Sequence, residues 1–479
     1  MSLDRARRIA KLTIPIVAAL ILVVFAVRAE SPIDQPIVEF LESRAATSPF
    51  LRRMIKPNDD LASSVRDYVR MVRGGLAWLV PLVPLAWIAA RSALRPRSRV
   101  GDFGLFAIIA AAGAVAVLSG PQHDYHAFLL MWRDVEAGAD PWAASHGGAG
   151  NNYGPAFNAI ALAAMLHPML PKLLFCAAWL GIAVIAIRRF DADADPDLSD
   201  SERPGTAGPR ARMALALLFE LNPYFWIEVP LCGHFDVLCA FCCLAALNAR
   251  IANRDLCCGA WLGLGFLIKF SPVVLIPYLM LDRGPLRWRI ALGAAITAGS
   301  GMALGMAIWG DALFSPFLKL AEAGPSLMSI FRVLGPRWEW LSAPMVVASA
   351  LAIWTFCRRN AVDPTTSAVL GYFVFLMFSK FGYPQYFLPM LAILAYWSAA
   401  RWQALIHDRL LAFALTAYVG FISVYSVIYF VDFLLGYPWS GLRRMIGAPT
   451  FAVSCLALRA LLRLRVCPRR SRFKNSSPL

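Results

Sequence analysis

Two histidines and an aspartate stand together at the end of a long apolar run. The run is "FGLFAIIAAAGAVAVLS", Phe103 to Ser119, and His123-Asp124-Tyr125-His126 follows almost at once. A carboxylate at a helix mouth can act as a general base if it stays ionised and meets a substrate hydroxyl. The plainer reading is a polar cap on a membrane span. A zinc site using His123 and His126, with His146 or His234, is a weaker one, because an H-x-x-H pair alone lacks the rest of a metal signature. No metal and no cofactor is expected.

Four other groups have residue types that could bind a substrate. "EAGADPWAASHGGAGNNYGPAFN", Glu136 to Asn158, carries Asp140, Trp142, Asn152 and Tyr153. Aromatic rings stack on sugar C–H faces, while Asp and Asn bond hydroxyls. An ordinary loop with turns at Asp140-Pro141 and Gly154-Pro155 is the alternative. "ELNPYFWIEVPLCGHFD" sets Glu220, Asn222 and Glu228 inside an apolar run, with His234 and Asp236 at its end. Lys269 lies alone in "LGFLIKFSPVVLIPYL", where a lysine must pair, snorkel or bind an anion. "MFSKFGYPQYFLP" offers Lys380, Tyr383, Gln385 and Tyr386, a basic group with hydrogen-bonding partners suited to an anionic leaving group. Each of these could equally be packed against protein without any ligand.

The elements that must position these residues are apolar helices. Of 479 residues, 59% are hydrophobic and 16% charged, and the mean hydropathy is +0.59. A soluble domain is nearer half apolar and a quarter charged. The apolar runs are continuous rather than alternating, which argues for helices and against a barrel. The fold class expected is an all-α polytopic membrane protein with about 11–14 transmembrane helices and loop helices outside them. Spans are predicted near 12–27, 75–90, 101–119, 155–187, 212–230, 235–249, 257–281, 290–309, 341–356, 365–379, 386–400, 409–429 and 447–463. "HPMLPK" interrupts one of them and "KFSP" another, so each is one kinked span or a pair of half-helices.

The formal charge of +16 does not point to nucleic acid. Lysines and arginines cap apolar runs, at Arg5 to Lys11, Arg91 to Arg99, Arg358-Arg359 and Arg463 to Lys474, which is the positive-inside pattern. With an inner N-terminus, that pattern puts Asp124, "CGHFD" and "FSKFGYPQY" on the outer side. Residues 28–74 are expected as outer surface helices, Asp191 to Arg210 as a solvated loop, and the basic tail inside. The first apolar stretch reads as an uncleaved anchor, since "FAVRAES" is a poor cleavage site. Six of the ten cysteines lie in or beside apolar runs, and Cys239-Ala-Phe-Cys242 lacks the strand context of a redox motif, so they read as packing residues.

Taken in order, "HDYHAFLLMW", "GADPW", "NNYGPAFN", "LNPYFWIEVPLCGHFD", "GLGFLIKFSPVVLIP" and "FSKFGYPQYFLP" resemble the GT-C glycosyltransferases. Within them they resemble the bacterial polyprenyl-phosphate-mannose-dependent α-mannosyltransferases. The resemblance spans about residues 100–400. It implies three regions: an N-terminal two-span extension at 1–100, a catalytic membrane core at 101–400, and C-terminal spans with a basic cytoplasmic tail at 401–479. It also implies inverting transfer of a sugar, mannose in the relatives, from a polyprenyl-phosphate donor to a glycan or glycolipid acceptor. The site would face the periplasm from a bacterial inner membrane. Asp124 matches the family's base, with Asp134 a local competitor. His123, His126, Asp140, Trp142, Asn152, Tyr153, Glu220, Asn222, His234 and Asp236 are the expected substrate contacts. Lys269, Lys380, Gln385 and Tyr386 are the expected contacts to donor phosphate. The 100 residues before the core, and the histidines beside Asp124, depart from the family pattern. Two rival readings use the same residues: a transporter or flippase of a lipid-linked or anionic solute, and a non-catalytic assembly subunit.

Overall fold

The computed structural model describes residues 110–121, 124–143, 145–146, 149–192, 222–282, 284–434 and 445–463, and scattered positions between 17 and 81. His123, Glu220, residues 191–210 save the first two, most of 28–74 and the basic tail lie outside the described residues, as does the side chain of His146.

The chain is all-α, apart from a two-residue antiparallel pair, Ser145–His146 with Ala149–Gly150. Among the described residues, three helical stretches are long and apolar enough to cross a membrane: Trp288–Glu322, Pro336–Arg359 and Arg409–Val431. Two bent pairs raise the number to five if each counts as one span. The spans predicted near 12–27 and 75–90 lie almost wholly outside the described residues, as do the first parts of those at 101–119 and 212–230. Of the others, Asp255–Ile268, Pro364–Phe378 and Leu388–Ala400 form helices of 14, 15 and 13 residues, shorter than the roughly 20 that a bilayer core needs. Pro364–Phe378 and Leu388–Ala400 are apolar on every side because other helices surround them.

Both stretches left open between kinked span and half-helices are broken. Pro155–Leu166 and Leu170–Ala186 meet at 119° across "HPM". The run after Ile268 leaves the helix at Lys269, passes through a 3-10 turn, Ser271–Leu275, and re-forms as Ile276–Leu279. Pro272 and Pro277 cannot supply the N–H groups that would continue one helix. A third break, at 115°, separates Pro223–Leu231 from Asp236–Ile251. Its first arm widens into a π-helix, Ile227–Leu231, around Pro230. Backbone bonds from Cys232 N to Ile227 O and from His234 N to Glu228 O close the wide turn at 2.8 Å each.

The tightest helix pair is Asp255–Ile268 on Trp288–Trp309, and glycine makes it so. A Cβ at Gly259 would fall 2.0 Å from Ile290 O, one at Gly263 2.7 Å from Ala294 O, and one at Gly293 2.3 Å from Leu256 O. Small residues four apart let two backbones touch, the usual device where lipid supplies no hydrophobic drive between helices.

Candidate active site

Two of the three breaks border Asp124, and the third carries Lys269, with Tyr153 between them. Asp124 opens the helix Asp124–Glu136, where a carboxylate is favoured by the helix dipole. Its side chain is 32% exposed, and Oδ2 lies 3.5 Å from His234 Nε2. The other imidazole nitrogen, Nδ1, is 2.6 Å from Glu228 Oε2. Ser426 Oγ donates to Glu228 Oε1 at 2.7 Å from the distant helix Arg409–Leu434. His234, Glu228 and Ser426 are all buried.

The π-turn explains this geometry. It brings residue 234 back over residue 228, so one backbone bond and one side-chain bond join the same two residues. His234 sits in the non-helical break at the end of the turn. Burial there opposes a charge on the ring, but hydrogen bonds and attraction from Asp124 and Glu228 outweigh it and push the histidine up to about 10. Both carboxylates thus favour the imidazolium form of the ring.

Gly233 makes the turn possible. Its φ is +69°, and a Cβ there would fall 2.6 Å from the Tyr125 ring and 2.9 Å from Lys172 Cε. Behind it, fully buried Lys172 donates to Ser119 Oγ at 3.2 Å, Gly120 O at 2.9 Å and Leu231 O at 3.0 Å. Tyr125 Oη donates to Pro168 O at 2.5 Å. These bonds pin the turn before Asp124 to two of the broken helices.

The second charged centre is Lys269 with Asp236. They form an ion pair in which the lysine is 12% exposed and the aspartate 3%. The ammonium also lies 3.5 Å from the centroid of the Tyr386 ring, 5.6 Å from that of Phe235 and 6.0 Å from that of Tyr153. An aromatic face holds a cation without neutralising it. Tyr153 bridges the two centres, with Asp124, Asp236, Tyr383 and Tyr386 as its electrostatic neighbours; burial and those neighbours push its phenol up. Its ring packs on Phe235 and Phe157 with centroids 4.6 Å away in each case. The backbone beside it is fixed too: Gly154 N donates to Ile268 O at 3.1 Å, and a Cβ at Gly154 would fall 2.2 Å from Leu267 O.

The remaining predicted contacts divide. Tyr386 and Gln385 share the 3-10 turn Pro384–Phe387, which Tyr224 Oη anchors by a 2.6 Å bond to Pro384 O. Asn222 caps the helix Pro223–Trp226, its side-chain oxygen accepting from Tyr224 N. Asp140 Oδ1 accepts from Trp142 N at 2.8 Å and shapes a turn. Trp142 is fully buried, with Nε1 donating to Tyr153 O at 3.1 Å, so its ring is a packing element and not an open stacking platform. Lys380 was grouped with Lys269, but it donates to Ala321 O at 2.8 Å and lies 3.7 Å from Glu339, tying two loops together. His126 is exposed on the Asp124 helix, and Asn152 is half-buried beside Tyr153. Among the described residues, no group of three or more His, Cys, Asp or Glu could hold a metal ion.

Sequence reasoning left Lys172 and Ser426 unremarked, and it noted Glu228 without giving it a role. Lys172 carried the same signal as Lys269, a lone lysine beside a proline in an apolar run. Ser426, in "FISVYSVIYF", carried no signal at all.

Residues 153–379 match the model of glycosyltransferase family 87, a little under half of the chain. No curated protein matches it. The family match supports a membrane glycosyltransferase, with sugar donor and acceptor as substrates. The matched segment contains Tyr153, Glu228, His234, Asp236 and Lys269; Asp124 precedes it, and Tyr386 and Ser426 follow it.

Proposed function

We propose that this glycosyltransferase is an inverting enzyme that takes its sugar, mannose in the first instance, from a polyprenyl-phosphate donor. The acceptor is a glycan or glycolipid. The site faces the periplasm of a bacterial inner membrane, and the core at 101–400 carries the chemistry. Asp124 accepts the proton of an acceptor hydroxyl. The oxygen then attacks the anomeric carbon as the bond from that carbon to the phosphate oxygen breaks. The polyprenyl phosphate leaves with one more negative charge than it had as a diester. Lys269 meets that charge, with Tyr386 and Gln385 lining the same end of the site. Fixed positive charge where negative charge develops lowers the barrier.

The observation that carries this reading is the pairing of one partly exposed carboxylate with one aromatic-held ammonium on either side of Tyr153. Retention would ask for a nucleophilic carboxylate at the reacting carbon, by analogy with glycosidases. Glu228 and Asp236, the other carboxylates here, are committed to His234 and Lys269. Neither the donor phosphate nor the base requires a nucleotide or a metal.

The test is turnover of polyprenyl-phosphate mannose by the full-length chain in lipid nanodiscs. Asp124→Asn keeps the shape and removes the base, so turnover should fall by roughly 10²–10⁴-fold. Turnover at the wild-type rate in Asp124→Asn overturns the assignment.

A further inference from the structure

Beyond Asp124 and Lys269, the site contains a buried polar chain that the reaction as written does not use. It runs from Asp124 through His234 and Glu228 to Ser426, at 3.5, 2.6 and 2.7 Å. Its last member sits on a helix outside the family-matched segment. Buried carboxylates are costly unless paired and bonded, so a glutamate and a histidine joined by one turn do not meet a serine from a distant helix in a membrane bundle without consequence.

We propose that Glu228 and Ser426 are positioning residues for the transfer: by fixing His234 as a cation, they hold the Asp124 carboxylate ionised and oriented. This rests on the reading of Asp124 as the base. Charge supports it. The ionisable groups around the imidazole are Asp124 from the helix it opens, Glu228 from the π-turn, Asp236 from the next helix with Lys269 upon it, and Lys172 from Leu170–Ala192 behind Gly233. Three carboxylates lie around the ring and Lys269 pairs with one of them, so a charged imidazole offsets part of the negative charge that remains. An imidazolium donates from both nitrogens, which matches a carboxylate on each side. The Glu228 carboxylate is held at both oxygens, Oε2 by His234 and Oε1 by Ser426, while its main chain is fixed by the bond from His234 N.

The sign of the pH effect follows. A histidine raised by two carboxylates stays charged below its folded value and loses the charge only as pH rises through it. Removing Glu228's charge brings that loss to lower pH, so activity should fall earlier on the alkaline side. Unpaired from the imidazolium, Asp124 also loses its orientation, which lowers kcat and leaves the KM for donor unchanged.

The experiment uses the full chain in nanodiscs with polyprenyl-phosphate mannose, plus ¹⁵N side-chain NMR of histidine, with the His234 signal assigned by its loss in His234→Gln. In wild type the His234 ring should stay protonated at pH 8. In Glu228→Gln it should titrate at least tenfold lower in proton affinity, with the alkaline limb of kcat moving alongside and the KM for donor within twofold of wild type. Ser426→Ala should move both readings the same way by less, and Glu228→Asp should restore part of them. If Glu228→Gln does not fold, Ser426→Ala carries the measurement, since it removes only a hydroxyl. A neutral His234 at pH 8 in wild type overturns the inference, and so does an unshifted titration in these variants. Full activity in Asp124→Asn, by contrast, sinks the base assignment while the His234 titrations of wild type, Glu228→Gln and Ser426→Ala stand, so the two failures are distinguishable.

Discussion

Lys172 and Lys269 each interrupt an apolar stretch close to a proline, and each ends up at a break between helices. Lys172 is fully buried and donates to three neutral oxygens on two other parts of the chain. Lys269 keeps some exposure, pairs with Asp236 and lies over the Tyr386 ring. The first arrangement uses up all three ammonium hydrogens on backbone and hydroxyl oxygens. The second leaves a cation on an aromatic face with one carboxylate partner. A lysine in a membrane run is thus a staple when neutral oxygens saturate it, and a candidate anion site when aromatics and a single acid hold it.

That contrast can be broken by substitution. Lys269→Met should cost turnover roughly 10²–10³-fold, the scale for losing one stabilising donor at a developing anion. Asp236→Asn in the same chain should recover melting temperature, since the buried acid is then no longer unpaired, without recovering turnover. Recovery of both would make Lys269 structural. Lys172→Met should act the other way round. It strands three oxygens at about 1–3 kcal/mol for each buried group, so the folded yield and melting temperature fall while the KM of the surviving enzyme holds. A shifted KM at normal stability would place Lys172 at the site instead.

Gly233→Ala tests whether the turn that presents His234 tolerates a side chain. With φ at +69° and the Tyr125 ring in the way, it should lose about 1–3 kcal/mol of stability, read as a lower melting temperature. The smallest effect is expected far from both lysines. Asp363 caps the helix Pro364–Phe378 and bonds Arg401. Burial works to raise its carboxyl, but Arg401 and Thr366 outweigh that and hold it below its usual value. Its stabilisation is therefore complete above the ordinary carboxylate range and is lost as pH falls through the depressed value. Asp363→Ala should cost about 1 kcal/mol at neutral pH, with the deficit closing in acid; activity per folded molecule should not change.

Much of the membrane architecture was legible because apolar length and proline placement act locally. The breaks at "HPMLPK" and "KFSP" follow from missing N–H groups, and both were visible as interruptions. Lys269 stood out because charge in an apolar run is rare. The short internal helices were harder. Leu388–Ala400 reads as a span until its neighbours are known, since a helix surrounded by protein is as apolar as one surrounded by lipid. The site contacts were harder still. Trp142 looked like a sugar platform by type, and only the fold shows its ring enclosed. Lys380 looked like a partner for Lys269, and only the fold gives it Glu339 and Ala321. Ser426 lies 198 residues from Glu228, and no local pattern encodes a meeting over that separation.

The bond from Gly154 N to Ile268 O has a consequence for how the site is held together. It ties the residue after Tyr153 to the residue before Lys269, and the missing Cβ lets the two strands of backbone touch. Main chain alone thus sets the spacing between Tyr153 and Lys269. The turn carrying Gln385 and Tyr386 is held differently, by the side-chain bond from Tyr224 to Pro384 O and by backbone bonds from Ser326 N to Lys380 O and from Met328 N to Gly382 O in the loop before it. One wall of the site is therefore a backbone contact, and the facing one hangs on separate bonds from distant parts of the chain.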